Sequence, residues 1–201
     1  MTETPEQRAH RERMQQRKAE QDAEVRSKTV RRGVVVVNTG DGKGKSTAAF
    51  GVALRAAGHG QRVAVVQFIK GKWKTGEQAA IQRFPEIDHV ISGDGFTWET
   101  QDREQDIASA ERGWGIAKGF IQGGAHDVVI LDELNLALKY GYLEVGEVVA
   151  ALEGKPEHVS ILVTGRDAPP EILAVADTVT EMRLVKHAYQ AGIRARKGVE
   201  F

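Results

Sequence analysis

The stretch from Gly33 to Thr47, GVVVVNTGDGKGKST, decides how the rest of the chain is read. Val34 to Val37 form an all-β-branched run, the signature of a strand buried on both faces. The run breaks at Thr39-Gly40-Asp41-Gly42-Lys43-Gly44 and resumes with helical character at Lys45-Ser46-Thr47. Strand, glycine-rich turn and helix opening on Lys-Ser describe a phosphate-binding loop. Glycines let successive N–H groups curl inward, and the following helix contributes its positive end. Lys45 supplies a charge for the outer phosphates, and the Ser46 hydroxyl suits Mg²⁺. The strict pattern GxxxxGK[ST] puts its first glycine at position 39, which is Thr39; here the glycine comes one residue later, at Gly40. A glycine-rich surface turn that binds nothing explains neither the preceding strand nor the Lys-Ser start of a helix. The stretch therefore predicts binding of a nucleoside triphosphate.

Outward from this loop, the chain alternates apolar runs with helical patterns, as in a parallel sheet covered on both faces. A helix over about Lys45 to Ala57 is followed by a strand at Arg62 to Ile69. A short helix from Glu77 is stopped by Pro85, and Asp88 to Ser92 reads as a third strand. A long helix over about Asp102 to Gln122 places Ile107, Ala110, Trp114, Ala117 and Ile121 at three- and four-residue spacing. Further strands are expected at Asp127 to Leu131, Val159 to Val163 and Thr178 to Val185. Helices are expected near 134–140 and 145–152, and one opens at Pro169-Pro170. The fold class is α/β, a mostly parallel, doubly wound sheet of about six strands with helices on both faces. Residues 1–32 stand apart. They are densely charged and helix-favouring but lack an apolar stripe, and read as a charged N-terminal arm, either solvated or ordered by a substrate or partner. Residues 33–201 read as one domain.

Composition narrows the function. At 201 residues the chain suits one domain with a sizeable core. Lys plus Arg equals Asp plus Glu at 28 each, so no global field favours nucleic acid or an anionic membrane. The absence of cysteine excludes disulfides, thiolate metal sites and a cysteine nucleophile. No signal peptide is visible, and no apolar run approaches the roughly twenty residues of a membrane helix. A soluble, cytoplasmic protein is expected.

In open parallel sheets, ligands sit at the carboxyl ends of the strands. Asp132-Glu133 falls at such an end, where a phosphate-loop protein keeps the acid that holds Mg²⁺; Asp132 as a helix cap is the alternative. Thr164-Gly165-Arg166 ends another strand, where Arg166 either reaches the phosphates or is a surface arginine. In Gly93 to Thr100, GDGFTWET, two large aromatics lie in a glycine-flanked loop. They either cover a core edge or offer a flat apolar surface to a large planar ligand. The six histidines show no pair at metal-ligand spacing, and each reads as structural. With a nucleotide grip but no evident nucleophile or general base, the chain points to a second substrate that brings its own nucleophile.

TGDGKGKSTAAFG, VVQFIKG, GFTWETQD, VVILDELNLAL, VTGR and the terminal KHAYQAGIRARKGVEF, in that order, resemble the ATP:corrinoid adenosyltransferases of cobalamin biosynthesis and salvage. The branch they resemble is the P-loop, RecA-like one, with cob(I)yrinic acid a,c-diamide adenosyltransferase as the activity. The resemblance covers Gly33 to Phe201. It implies that Co(I) of a corrinoid attacks the 5′-carbon of ATP and displaces triphosphate. Gly40, Asp41, Gly42, Lys43, Gly44, Lys45, Ser46 and Thr47 would hold the triphosphate, in the reverse sense to ordinary P-loop enzymes. Lys45, Ser46 and Glu133 would carry catalysis. Ser46 and Glu133, with Asp132, would hold Mg²⁺ (or Mn²⁺). Phe96 and Trp98 take the places of the family's Phe-x-Trp pair, which displaces the lower axial ligand of cobalt and eases its reduction. The resemblance also implies a homodimer, reduced flavodoxin or a flavoprotein reductase as electron donor, and the arm as a candidate lid. Two other readings stay open: a P-loop ATPase or phosphotransferase that releases ADP, and a non-catalytic nucleotide-dependent switch whose Phe96 and Trp98 contact a protein.

Overall fold

In the computed structural model, which describes residues 4–69, 75–92 and 102–200, the valine run becomes strand β1 (Val35–Thr39). It begins one residue after Val34, which is exposed. The other strands are β2 (Val63–Gln67), β3 (Ile87–Ile91), β4 (Val128–Asp132), β5 (Ser160–Thr164) and β6 (Thr178–Glu181). They form one sheet in the order β3-β2-β4-β5-β1-β6, and every pairing is parallel. This is the doubly wound α/β architecture expected of a phosphate-loop protein.

The helices are α1 (Pro5–Ser27), α2 (Lys45–Gly58), α3 (Gly76–Ile81), α4 (Arg103–Gly123), α5 (Leu134–Lys139), α6 (Val145–Glu153) and α7 (Pro170–Val175). A 3₁₀ turn, Ala188–Ala191, follows β6. Alternation along each strand divides the core in two. Val35 and Val37, Ala64 and Val66, Val129 and Leu131, and Ile161 and Val163 pack with Ala110, Trp114, Ala117 and Ile121 of α4, and with residues of α5, α6 and α7. Val63 and Val65, Val128 and Ile130, and Leu162 pack against Ala49, Phe50 and Ala53 of α2 and Ile81 of α3. Both faces are apolar because both carry helices, and the strands read as continuous apolar runs for that reason.

Residues Met1–Arg31 and Arg32–Phe201 form separate compact units. In the first, α1 is capped by Thr4, whose side chain accepts from the Gln7 amide while the Gln7 side chain accepts from the Thr4 amide. None of its residues is buried, and the helix draws on propensity, its cap and surface pairs such as Gln16 with Glu20.

Strand β6 ends at Glu181, short of the expected run to Val185. Its partner β1 ends at Thr39, paired with Glu181, so there is no further strand to follow. Its opposite end is fixed by Asp177, whose amide donates to the Val35 carbonyl at 2.8 Å. The Asp177 carboxylate accepts from the Val35 amide at 2.8 Å and from both terminal nitrogens of Arg32, one of them at 2.9 Å. Chiefly through Arg32, then through the Val35 N–H, the Asp177 pKa falls to about 2. Folding lowers this pKa, so its stabilisation is complete above the ordinary aspartate range near 3.9 and disappears as the pH falls towards 2. In urea unfolding of wild type and Asp177→Asn, the stability gap should be constant from pH 7 to 5 and close on acidification. A gap unchanged at pH 3 would remove the Arg32–Asp177 pair as its source.

Candidate active site

The carboxyl ends of β1, β4 and β5 meet at a cleft of about 930 Å³, whose lining includes Gly42, Lys45, Ser46, Glu133, Lys139 and Arg166. At its floor the glycine loop turns tightly. Gly40 has φ of +90°, and Gly44, the N-cap of α2, has φ of +113°. No side chain caps this helix, so its first amides face the cleft with the positive end of the helix behind them. Lys45 is buried, and its Nζ donates to the carbonyls of Gly40 and Gly42 at 2.7 Å each. Burial lowers the Lys45 pKa, an effect opposed by the nearby charge of Glu133. Ser46, half-buried, comes next on the same helical turn.

The loop keeps its shape through the backbone that follows β6. The Met182 amide donates to the Thr39 carbonyl at 2.8 Å, and the Gly42 amide donates to the Met182 carbonyl at 2.6 Å. A Cβ at Gly40 would lie 2.6 Å from the Met182 carbonyl oxygen, and one at Gly42 would lie 2.7 Å from the same group. Thr39, where the strict pattern has glycine, is the last residue of β1, and its hydroxyl accepts from the Ala168 amide at 3.2 Å. Residue 39 thus ties the glycine loop to the turn after β5, a task that glycine would not perform.

The acidic pair divides sharply. Asp132 is the last residue of β4 and fully buried; its carboxylate accepts from Gln67 Nε2 and from Thr164 Oγ1, each at 2.8 Å. Glu133 lines the cleft, with φ of +62°, and occupies the N-cap position of α5 without using its side chain as a cap. The capping alternative for Asp132 is therefore not what the fold adopts. Arg166 also lines the cleft, and its Nε lies 3.9 Å from Asp41 Oδ1, with both side chains largely exposed.

The structure brings together the glycine loop, Lys45, Ser46, Glu133 and Arg166, and sets Asp132 behind Glu133. Phe96 and Trp98 lie outside the described residues. Of the histidines, His126 is buried against Asp88 at 2.8 Å, and His89 Nε2 lies 2.9 Å from Gln67 Oε1. The sequence names Thr164 only as the start of Thr164-Gly165-Arg166, and gives no role to Gln67, Met182 or the Lys139–Asp167 ion pair at 2.6 Å. Gln67 had a signal: it is the one polar residue of VAVVQFI, at that strand's carboxyl end. Met182 had none, because it acts through its peptide groups.

An all-parallel sheet whose first strand passes through this glycine loop into a Lys-Ser helix defines a phosphate-loop α/β protein. The family described as ATP:corrinoid adenosyltransferase BtuR/CobO/CobP matches residues 31–201, and one described as Cob(I)alamin adenosyltransferase N terminal matches residues 1–25. A corrinoid adenosyltransferase of Pseudomonas aeruginosa is 52% identical over 203 residues, covering 100% of both chains. One of Sinorhizobium is 47% identical over 195 residues, covering 96% of this chain and 91% of that protein. One of Escherichia coli K12 is 44% identical over 192 residues, covering 96% and 97%. The chain belongs to the ATP:corrinoid adenosyltransferase family, a family of enzymes.

Gly40→Ala tests the loop geometry. The substitution meets both a left-handed backbone and the Met182 carbonyl, and should cost about 1–3 kcal/mol of local strain. Nucleotide affinity, read with a fluorescent ATP analogue, should fall at least tenfold while far-ultraviolet circular dichroism stays native. Wild-type affinity would show that Met182 does not set the loop.

Proposed function

We propose that the chain transfers the 5′-deoxyadenosyl group of ATP to the Co(I) of a corrinoid, either cobalamin or cobyrinate a,c-diamide, and releases triphosphate. The observation that carries this reading is the cleft that combines Lys45, Ser46 and Glu133 on a chain of this family. In the reaction, the cobalt electron pair forms a Co–C bond with the 5′-carbon as the C5′–O bond breaks. Triphosphate leaves with the bonding pair, and cobalt becomes formally Co(III). The protein supplies no nucleophile. Its task is to bind, orient, neutralise charge and exclude water.

Gly40 to Thr47 carry the backbone donors for the triphosphate. Lys45 exchanges its contacts with the Gly40 and Gly42 carbonyls for phosphate oxygens and opposes the charge that grows on the leaving group. Ser46 and Glu133 offer a hydroxyl and a carboxylate on one cleft, hard oxygen donors that fit Mg²⁺ or Mn²⁺. Among the described residues no group of three or more His, Cys, Asp or Glu could hold a metal unaided, in keeping with an ion shared with nucleotide phosphates. When bound, the metal supplies Lewis-acid stabilisation of the departing triphosphate. Arg166 adds a cation at the cleft rim.

We assign Phe96 and Trp98 to the corrinoid, where they would displace the lower axial ligand; removing that σ-donor favours the lower oxidation state of cobalt. Reduction calls for a one-electron donor such as reduced flavodoxin or a flavoprotein reductase. A homodimer and a cytoplasmic setting, where ATP and such donors coexist, complete the reading. No described helix is long and apolar enough to cross a membrane.

Incubation with ATP, Mg²⁺ and chemically reduced Co(I) corrinoid should give a light-labile cobalt–carbon product and equimolar triphosphate. Lys45→Ala should reduce that rate at least a hundredfold. ADP and phosphate without a cobalt–carbon product would instead identify a phosphate-loop ATPase. Trp98→Ala should retain transfer to pre-reduced Co(I) and lose transfer that starts from Co(II) with a flavoprotein donor. Equal loss in both assays would take the axial-ligand role away from Trp98.

A further inference from the structure

The sheet face that packs on α2 and α3 changes character at the carboxyl ends of its strands. Val63 and Val65 are followed on that face by Gln67, Val128 and Ile130 by Asp132, Leu162 by Thr164, and Ile87 by His89. Gln67 and Asp132 are direct partners in the β2–β4 register, so their side chains stand side by side. Gln67, Asp132 and Thr164 are all completely buried. Gln67 Nε2 donates to one Asp132 oxygen at 2.8 Å, and Thr164 Oγ1 donates to the other at 2.8 Å. The Thr164 hydroxyl, its proton committed to Asp132, accepts from the Glu133 amide at 2.9 Å. Farther along the row, His89 Nε2 lies 2.9 Å from Gln67 Oε1, which fixes the amide orientation that points Nε2 at Asp132.

This directed row ends on the peptide of a residue with φ of +62°, a conformation that non-glycine residues seldom keep unless their surroundings impose it. The same end of β5 is tied to α5 a second time, by Asn135 Nδ2 donating to the Gly165 carbonyl at 3.1 Å. We propose that Asp132, Thr164 and Gln67 are positioning residues that aim the Glu133 carboxylate into the cleft, and that Asp132 serves the metal only through Glu133. Direct ligation would draw a fully buried carboxylate away from the two donors it already serves. The row instead uses that carboxylate to orient one hydroxyl, and the hydroxyl to hold one backbone amide. This inference rests on the reading of Glu133 as a metal residue.

The test uses the full chain with saturating ATP and Mn²⁺ as the probe, free Mn²⁺ being read by electron paramagnetic resonance. ATP affinity is measured separately in EDTA. Thr164→Val removes the bridging hydroxyl at nearly constant volume and should weaken Mn²⁺ binding about tenfold, within the range of orienting groups around metal sites. Thr164→Ser should restore binding to within twofold. Asp132→Asn should match Thr164→Val, Glu133→Gln should lose more than either, and metal-free ATP affinity should stay within twofold in both threonine variants. A change in metal affinity with metal-free ATP affinity held, rescued by serine, is not what a merely structural role would give. Wild-type Mn²⁺ affinity in Thr164→Val would overturn the positioning role. So would Asp132→Asn falling as far as Glu133→Gln while both threonine variants bind normally, which would make Asp132 a direct ligand. Unchanged Mn²⁺ binding in Glu133→Gln would overturn the metal reading itself, and this inference with it.

Discussion

The Gly42 amide donates to the Met182 carbonyl at 2.6 Å, and the Met182 amide donates to the Thr39 carbonyl at 2.8 Å. Between them, these two hydrogen bonds continue the β1–β6 pairing past the end of both strands and into the glycine loop. The loop's own residues specify only what is permitted there, namely φ of +90° at Gly40 and +113° at Gly44. Met182 selects one arrangement among those permitted, and the glycines are required partly because its carbonyl approaches so closely. Lys45 then closes the inside of the turn on two carbonyls. The two carbonyls that Lys45 holds thus belong to a loop that the backbone of an edge strand braces from outside.

Behind the cleft, the change from apolar to polar occurs on a single sheet face and within one residue step per strand. That economy separates two requirements. The interior of the sheet stays dry, with Val65, Ile130 and Leu162 packed on α2 and α3. The next residue on that face of β2, β4 and β5 (Gln67, Asp132 and Thr164) is polar and satisfied by its neighbour, so no uncompensated charge is buried. The burial of Asp132 is tolerable because Gln67 and Thr164 donate to it, and the left-handed turn at Glu133 is tolerable because Thr164 accepts its amide.

Much of this was legible in the sequence, for identifiable reasons. Strands buried on both faces read as unbroken runs such as VAVVQ and VVILD, and the long helix showed its buried stripe at Ala110, Trp114, Ala117 and Ile121. The loop announced itself through glycine spacing and Lys-Ser. The different placements of Asp132, buried, and Glu133, in the cleft, were not legible, because they depend on the strand ending between the two residues. The extent of β6 was overread, since Val179 and Val185 look alike in sequence while only the first has a strand beside it. Thr39 reads in the sequence as a departure from the strict motif; its hydroxyl bond to the Ala168 amide is long-range and leaves no local trace.

The placement of β1 between β5 and β6 has a consequence for the order of assembly. Its contacts with those neighbours join positions separated by 126 and 142 residues, as in Val34 with Ser160 and Val35 with Asp177. Closing such long segments is slow compared with forming helices or local turns. A ribosome that has made the glycine loop has still to make Met182, which at roughly 5–20 residues per second is a wait of several seconds or more. Throughout that interval the chain carries the residues of the glycine loop without the backbone that contacts it. The loop's geometry is therefore acquired late in the birth of the molecule, when its last strand docks.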